Sequence, residues 1–485
     1  MAVTRQTLDY QTALDLLYGR IDYESNATIP NRLQGLHLDR MRSLLRGLGD
    51  PHRQLRVVHL AGTKGKGSTA AMVSSILSAA GYRTGLYTSP HLHRLEERLV
   101  VDGQRCSPAE LVDLVEQARP VIEKMDQQAK TEPWGEGPTF FEITTALALQ
   151  HFVRRSVDLA VVEVGMGGRL DSTNVCHPLV SVITSISHDH TQQLGSTLAA
   201  IAAEKAGILK NGVPVVSGVT QDEPRAVIRR IAQERGCPLL ELRREFSFRY
   251  RGPGASSGEA TLDFSQNVPA ARRCWEDLRL SLLGRHQASN AAVALAVIGQ
   301  LQSDGWKIDE PDVRRGLVNV HCPGRIEVVG RRPTIVIDTA HNHASVAALL
   351  DVLNDVFTAR RRVLVFAASR DKDIRRMLRQ LLPRFDRVII TRYLQNPRAA
   401  PTDQVHRLAR EVAEQLGTDR VDPGALYACG TPAEAWQIAR NLVGPDDLVC
   451  VTGSFFVAAE IRPLVGNRVA DSRGRRVVEL ASETP

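Results

Sequence analysis

The sequence has no uninterrupted apolar stretch near the ~20 residues that a membrane-spanning helix requires, so we expect no such helix. The segment from Met1 to Tyr10 carries charges and lacks an apolar core, which argues against a secretory signal and predicts a cytoplasmic location. The 7 cysteines are odd in number and include no Cys-x-x-Cys pair, which favours a reducing compartment over a disulfide framework. We find no internal repeat at a fixed period.

Size and composition predict a globular protein with more than one domain. At one domain per ~150 residues, the 485 residues correspond to two or three domains. A hydrophobic fraction of 43% excludes a disordered chain, and 24 prolines without a period exclude a fibrous one. Lys and Arg number 61 against 54 Asp and Glu, which gives a net charge of +7. This excess is compatible with nucleic acid or with small polyanionic substrates, so composition leaves both open.

Predicted strands and helices alternate along the first part of the chain. Continuous apolar runs between segments of helical composition predict a mostly parallel sheet covered on both faces. A polar and aromatic stretch, 243–275, breaks this alternation and carries no motif that we can match. The predicted strands are 56–61, 158–164, 180–186 and 213–217, and the predicted helices are 68–80, 142–154 and 286–301.

The strand–helix alternation restarts after a turn cluster, His321–Cys322–Pro323–Gly324. The later predicted strands are 334–338, 362–367, 387–391 and 448–452. Because the cluster separates two such alternating regions, we place a domain boundary there and predict domains 1–322 and 323–485.

The strongest local signal is a glycine-rich loop between a predicted strand and a predicted helix. Glycines let backbone N–H groups turn inward around phosphate oxygens, and the helix N-terminus adds the positive end of its dipole. Lys66 would reach the β- and γ-phosphates, and Ser68 or Thr69 could hold Mg²⁺. Unlike in the common P-loop, Gly67 separates this lysine from the hydroxyl. We predict a nucleoside triphosphate site formed by Gly62, Thr63, Lys64, Gly65, Lys66, Gly67, Ser68 and Thr69.

The loop and the two regions of alternating strands and helices together give the fold prediction. We predict an α/β protein with an N-terminal P-loop NTPase-like domain, whose sheet is mostly parallel, and a C-terminal Rossmann-like α/β domain.

Acidic and histidine residues follow two of the predicted strands. Glu163 ends an apolar strand at the sheet edge where ligands gather, so we interpret it as a Mg²⁺ ligand rather than an acidic strand cap. The pairs His91–His93 and His188–His190 could each be half of a zinc site. Neither pair has Cys or carboxylate partners at the spacing of a zinc motif, so zinc is the less favoured interpretation.

Three segments, the glycine-rich loop among them, carry a joint signature. The loop 62–68 is similar to Gly-Thr-Asn-Gly-Lys-Gly-Ser, with Lys64 in place of Asn. The run 163–174 is similar to Glu-Val-Gly-Leu-Gly-Gly-Arg-Leu-Asp-Ala-Thr-Asn, and 204–208 matches Glu-Lys-Ala-Gly-Ile. Together they resemble the folylpolyglutamate synthase and dihydrofolate synthase family of the Mur ligase superfamily. Matched motifs occur in family order from about Gly35 to Arg462.

The resemblance implies ATP and two Mg²⁺ ions as cofactors. It implies that Lys205 is carbamylated, which converts a cation into the anionic oxygen ligand that a hard metal requires. The implied Mg²⁺ ligands are Ser89, Glu163, His190 and Lys205, and the implied catalytic residues are Lys66, Lys205 and His341.

The resemblance also implies where the substrates bind. Domain 1–322 would bind ATP and folate, and domain 323–485 would be the glutamate-ligase domain. Aromatic rings would stack on the pteroate, and Glu142 could accept hydrogen bonds from the pterin N–H groups. The implied folate-binding residues are Thr139, Phe140, Phe141, Glu142, Leu170, Asp171 and Ser172. Further implied ATP-binding residues are Asn290 and, from the second domain, Arg325 and Asp338.

The function that the resemblance implies is ATP-dependent ligation of L-glutamate to a folate or dihydropteroate carboxylate through an acyl phosphate. One alternative is another Mur-type ligase that acts on a cell-wall nucleotide precursor. A second alternative, of a different class, is a nucleic-acid-stimulated P-loop ATPase that uses the basic surface. We expect a monomer with small-molecule substrates and with no nucleic-acid or membrane partner.

Overall fold

The computed structural model describes residues 8–22, 38–132, 135–189, 191–253, 260–268, 271–417 and 422–466. The chain divides into two units, Met1–Cys322 and Pro323–Pro485. No helix within the described ranges is both long and apolar enough to cross a membrane.

The first unit contains an eight-stranded, mostly parallel sheet. Its strands are β1 (Val57–Ala61), β2 (Thr84–Tyr87), β3 (Leu99–Val101), β4 (Gln104–Arg105), β5 (Leu159–Glu163), β6 (Val180–Ile183), β7 (Val215–Ser217) and β8 (Leu239–Glu241). They lie in the order β4-β3-β2-β5-β1-β6-β7-β8, and only the edge strands β3 and β4 pair antiparallel. The α/β prediction with a mostly parallel sheet is therefore confirmed.

Helices cover both faces of this sheet, which explains why its central strands are continuously apolar. The helices are α1 (Tyr10–Tyr18), α2 (Leu38–Gly47), α3 (Lys66–Ala79), α4 (Pro108–Gln128), α5 (Phe140–Arg154), α6 (Thr191–Leu194), α7 (Leu198–Ala206), α8 (Asp222–Glu234), α9 (Arg285–Ser303) and α10 (Glu310–Val318). Alternate residues of β1 point to opposite faces. Val58 and Leu60 pack with α3, α9 and α10, while Val57 packs with α2, α4 and α5.

The stretch 243–275 belongs mainly to a second, antiparallel sheet that the sequence did not predict. Its strands are β9 (Phe246–Arg251), β10 (Ala260–Val268) and β11 (Ala271–Leu280), paired in the order β11-β10-β9. One face is apolar and the other polar, as in a sheet that packs on one side only. On the apolar face, the rings of Phe264 and Trp275 stack with centroids 5.5 Å apart. The β10–β11 register shifts between Leu262 and Phe264, which interrupts the simple alternation in the sequence.

The second unit is a six-stranded sheet with its own helices. Its strands are β12 (Glu327–Arg331), β13 (Thr334–Ile337), β14 (Arg362–Phe366), β15 (Arg387–Ile390), β16 (Leu426–Ala428) and β17 (Leu448–Thr452). The order is β12-β13-β17-β14-β15-β16, with only the edge strand β12 antiparallel to its neighbour. The helices are α11 (His343–Val356), α12 (Ile374–Leu381), α13 (Thr402–Leu416), α14 (Pro432–Leu442) and α15 (Phe455–Gly466). The α/β prediction for this half of the chain is also confirmed.

Candidate active site

The glycine-rich loop joins the end of β1 to the start of α3. Gly65 caps the helix with φ of 84°, a left-handed conformation that glycine adopts without strain. The end of β6 fixes the loop, because the hydroxyls of Thr184 and Ser185 donate to the Lys64 carbonyl at 2.7 and 2.9 Å. The loop therefore presents the N-terminus of a 14-residue helix at the carboxyl edge of the sheet, a geometry suited to phosphate.

Gly65→Ala is expected to disturb this loop more than Gly81→Ala, a control glycine with a similar φ. The φ values are 84° and 87°, so alanine at either position is strained by about 1–2 kcal/mol. At Gly65 the new Cβ would also fall 2.2 Å from Asn290 Oδ1, whereas at Gly81 no described atom lies within 4 Å. Urea unfolding should show a larger stability loss for Gly65→Ala than for Gly81→Ala. ATP titration should show weaker ATP binding for Gly65→Ala only. Equal effects of the two substitutions would contradict the close approach of Asn290.

The two lysines of the loop contact two carboxylates. Lys64 Nζ lies 2.7 Å from Asp189 Oδ2, and Lys66 Nζ lies 3.8 Å from Glu163 Oε1. Glu163 ends β5 and Asp189 follows β6, the two strands that flank β1 in the sheet. The parallel arrangement thus brings both acids to the phosphate loop.

Lys205, near the end of α7, belongs to the same cluster. Its side chain is buried, and this burial, followed by the positive charge of Lys66, lowers the pKa of Lys205 to about 7. Asp189 acts in the opposite direction and raises this pKa. A buried lysine with such a pKa is partly neutral at neutral pH, which makes its nitrogen available for chemistry.

The oxygen atoms beside the loop fit a hard divalent cation such as Mg²⁺. The Ser89 backbone N–H donates to Glu163 Oε2 at 3.3 Å, so this serine lies beside the carboxylate. The buried Thr69 hydroxyl has no hydrogen-bond partner within the described part of the chain. A carboxylate and hydroxyls are the donors that Mg²⁺ prefers. The described ranges contain no cluster of three or more His, Cys, Asp or Glu side chains for a metal, and His190 lies outside them.

A glycine-rich turn follows β5 and is held by Asp171. The buried Asp171 carboxylate accepts the Met166 and Thr173 backbone N–H groups, each at 3.0 Å, and the Thr173 hydroxyl. Burial raises the pKa of Asp171, and these donors oppose that shift. A Cβ on Gly168 of this turn would lie 2.8 Å from the Lys205 carbonyl oxygen, so the turn packs directly against α7.

The aromatic pair predicted to bind folate has one buried and one partly exposed member. Phe140 is buried, and its ring stacks on that of Tyr18 with centroids 5.4 Å apart. Phe141 is partly exposed, and its ring centroid lies 6.2 Å from that of Tyr87. Of the pair, Phe141 therefore has the more accessible ring.

Glu142 already has partners inside the protein. Arg40 Nε donates to its two carboxylate oxygens at 3.0 and 2.8 Å, and the Thr139 backbone N–H donates at 2.8 Å. The Arg40 and Glu142 side chains are only 1% and 5% exposed. The predicted hydrogen bond from Glu142 to a pterin stays a prediction. No motif marked Arg40, although it determines the surroundings of this carboxylate.

Of the residues predicted in the second unit, Asp338 and His341 follow β13, and Arg325 precedes β12. Asp338 is buried, which raises its pKa, and it accepts the backbone N–H groups of Ile326 and Ala340 at 2.9 and 2.8 Å. Arg325 donates to the Thr339 hydroxyl. His341 Nδ1 lies 2.9 Å from the Thr339 carbonyl oxygen, which fixes the ring's orientation. These contacts order the segment, and the ATP-related roles of its residues stay predictions.

Comparisons with known proteins place the chain in a family. The Mur ligase middle domain model matches residues 116–298, and the Mur ligase glutamate ligase domain model matches 324–455. The dihydrofolate synthase/folylpolyglutamate synthase of Bacillus subtilis is 35% identical over 455 residues, which cover 93% of this chain and 98% of that protein. The chain belongs to the dihydrofolate synthase and folylpolyglutamate synthase family. A Mycobacterium tuberculosis member is 38% identical over 450 residues, with 88% of this chain and 90% of that protein covered.

Solved structures of this family have the same fold. The M. tuberculosis folylpolyglutamate synthase complexed with ADP and AMPPCP superposes with a TM-score of 0.82 at 33% identity, covering 95% of this chain and 100% of that one. Escherichia coli FolC in complex with DHPP and ADP gives a TM-score of 0.78 at 29% identity, covering 95% and 99%. The family resemblance seen in the motifs is thereby confirmed, whereas the roles of individual residues stay predictions.

Proposed function

We propose that this chain is an ATP-dependent ligase that joins L-glutamate to the carboxylate of a folate or of dihydropteroate. The observation that carries the proposal is the cluster of Lys66, Glu163 and Lys205 at the phosphate loop. Family membership adds the substrate class, since the relatives are named dihydrofolate and folylpolyglutamate synthases. The same relatives favour a folate acceptor over a cell-wall nucleotide and over a nucleic-acid-stimulated ATPase.

The chemistry must turn a carboxylate, which is a poor electrophile, into an activated acyl group. The acceptor carboxylate attacks the γ-phosphorus of ATP, the bond to the β–γ bridging oxygen breaks, and ADP leaves. The amine of glutamate then attacks the acyl carbon of the resulting acyl phosphate. The amide bond forms as phosphate leaves and the amine loses its proton. In the first step negative charge develops on the departing ADP, and in the second it develops on the acyl oxygen of a tetrahedral intermediate and then on the departing phosphate. Fixed positive groups beside these oxygens lower the barrier.

The loop and its neighbours supply these positive groups. Backbone N–H groups at the start of α3 and the Lys66 ammonium would bind the β- and γ-phosphates. Glu163 and Ser89, with Thr69, would hold Mg²⁺, which when bound offsets the charge of the phosphates. Asp189 pairs with the additional loop cation Lys64 and so limits the excess positive charge there.

A carbamate on Lys205 is the form of this residue that the proposal requires. A neutral amine adds CO₂ and loses a proton to give the carbamate anion, and the pKa of about 7 makes the neutral amine accessible. Below pH 7 the amine becomes protonated, so carbamate and ligase activity should both decline as the pH falls. With ¹³CO₂ at pH 8, NMR should show one protein carbamate that is absent in Lys205→Ala, and short carboxylic acids should partly rescue that variant. Absence of the label at pH 8 would mean that Lys205 is not carbamylated.

An acceptor panel tests the proposed function. Purified protein is given ATP, Mg²⁺ and L-glutamate with tetrahydrofolate, dihydropteroate, a cell-wall nucleotide precursor or single-stranded DNA. Phosphate release should require both glutamate and a folate-type acceptor, and mass spectrometry should find the acceptor extended by one glutamate. Phosphate release without glutamate, or stimulated by DNA alone, would contradict the proposal.

The remaining expectations concern the state of the protein. The same proposal predicts a cytoplasmic location, a monomeric state, two Mg²⁺ sites and no nucleic-acid partner. Light scattering with and without ATP and Mg²⁺ gives the oligomeric state, and filter binding at low salt tests for nucleic acid.

A further inference from the structure

A buried chain of polar side chains connects β1 with the turn after β5. His59, in the middle of β1, is fully buried, and its Nε2 lies 2.8 Å from Thr173 Oγ1. The Thr173 hydroxyl in turn contacts the Asp171 carboxylate. Only Leu60 and Ala61 separate His59 from the phosphate loop, and Asp171 holds the glycine-rich turn beside Lys205. These hydrogen bonds therefore link β1, which leads into the phosphate loop, with the glycine-rich turn that carries predicted folate-binding residues.

Hydrogen-bond chemistry assigns the protons shared between His59, Thr173 and Asp171. A carboxylate only accepts, so the single hydroxyl proton of Thr173 is donated to Asp171. The Thr173 oxygen must then accept from His59, which places the imidazole proton on Nε2. His59 Nδ1 is left without a proton, and it is buried with no hydrogen-bond partner within the described ranges. Burial, and then the charge of Lys210, lower the pKa of His59 to about 3, so the ring stays neutral.

The partnerless Nδ1 argues against a purely structural role for this histidine. A buried acceptor without a donor costs stability, so an apolar side chain would suit this core position better. What only the histidine supplies is the Nε2–H donor to Thr173. That donor leaves the hydroxyl one orientation, in which it points at the carboxylate of Asp171.

We propose that His59 is a positioning residue of the ligase, which acts through Thr173 to fix Asp171 and the turn that carries Leu170 and Ser172. The proposal rests on the proposed function, because that turn is the predicted folate-binding segment. Loss of the His59 donor lets the Thr173 hydroxyl rotate away, so Asp171 and the turn lose one fixed contact. The phosphate loop keeps its own contacts from Thr184 and Ser185, so ATP binding is expected to change little.

Matched pairs of variants separate this role from simple packing. His59→Leu removes the donor, whereas the side-chain amide of His59→Gln can donate from nearly the same place as Nε2. Thr173→Val removes the hydroxyl with almost no change of shape, whereas Thr173→Ser keeps it. We expect His59→Leu and Thr173→Val each to raise the KM for the folate-type acceptor about tenfold, with the KM for ATP within about twofold of wild type. The Gln and Ser variants should stay close to wild type in both values.

The same set defines the contradicting results. An unchanged acceptor KM in Thr173→Val would overturn the proposal, as would equal KM values in His59→Leu and His59→Gln. The double variant His59→Leu/Thr173→Val should have an acceptor KM no higher than that of either single variant. Additive effects on this KM would contradict a role of both residues in one hydrogen-bonded series. If His59→Leu does not fold, the two Thr173 variants still decide the question.

A measurement without substrates keeps the proposal separate from the proposed function. In protein labelled with ¹⁵N-histidine, the His59 signals are those missing from His59→Gln. They should show a protonated Nε2 and a bare Nδ1 from pH 6 to 8. A proton on Nδ1 would overturn the proposal even if the enzyme is a folate ligase. If His59 has the expected tautomer but the protein does not use folate, the proposed function is refuted and the His59 hydrogen bond to Thr173 still stands.

Discussion

Replacing Lys66 by alanine is expected to lower kcat for glutamate ligation by at least about 100-fold, the effect of removing one group that stabilises transition-state charge. Lys66 is the first residue of α3, and its ammonium lies 3.8 Å from Glu163 Oε1. In the proposed reaction it offsets the negative charge that develops on the transferred phosphate. Steady-state kinetics with saturating ATP, glutamate and acceptor measure the change directly.

A control lysine shows whether the loss is specific to this place. Lys124 is exposed on α4, so Lys124→Ala should keep wild-type kcat. Urea unfolding should give similar free energies for both variants, because Lys66 contributes charge rather than packing. A kcat of Lys66→Ala within about threefold of wild type would remove this residue from the catalytic machinery.

The largest stability effect is expected for Arg40→Met. This change leaves the Glu142 carboxylate buried without its cationic partner, which costs about 3–5 kcal/mol of unfolding free energy. The double variant Arg40→Met/Glu142→Gln should recover part of that loss, because it removes the unpaired charge. Urea unfolding of wild type, both single variants and the double variant forms the complete cycle.

A second ion pair on the same helix provides the control. Arg42 lies 2.8 Å from Asp39, but these side chains are 54% and 73% exposed. Arg42→Met should therefore cost less than about 1 kcal/mol. If Arg40→Met and Arg42→Met cost the same, burial of the Arg40–Glu142 pair does not contribute as we describe.

The phosphate loop and its flanking elements could be predicted because their signals are local. The apolar run of β1, three glycines and a helical segment lie within about two dozen consecutive positions. The structure has β1 at Val57–Ala61 and α3 at Lys66–Ala79, close to the predicted 56–61 and 68–80. The helix starts two residues earlier than predicted because Gly65, with its positive φ, already caps it.

Contacts between distant segments could not be predicted from local patterns. Arg40 and Glu142 are 102 positions apart, and His59 and Thr173 are 114 apart. A single buried arginine in an amphipathic helix has the same sequence pattern as an exposed one. Only the packing of α2 against α5 shows that Arg40 faces the interior.

The departure of Lys64 from the family loop has a physical explanation in the fold. A second cation close to Lys66 would by itself repel both Lys66 and Lys205. Asp189, 125 positions later, forms a 2.7 Å ion pair with Lys64 and offsets that charge. The sequence showed the departure, whereas the compensating residue depended on the pairing of β1 with β6.

The transfer of an oxygen atom tests most directly the central claim, that the acceptor carboxylate attacks ATP. The acceptor is labelled with ¹⁸O in the carboxylate that receives glutamate, and the phosphate released in one turnover is analysed by mass spectrometry. An acyl-phosphate mechanism moves one carboxylate oxygen into phosphate, so the released phosphate should carry one ¹⁸O. Release of unlabelled phosphate would mean that water attacks ATP, which contradicts the proposed ligase mechanism.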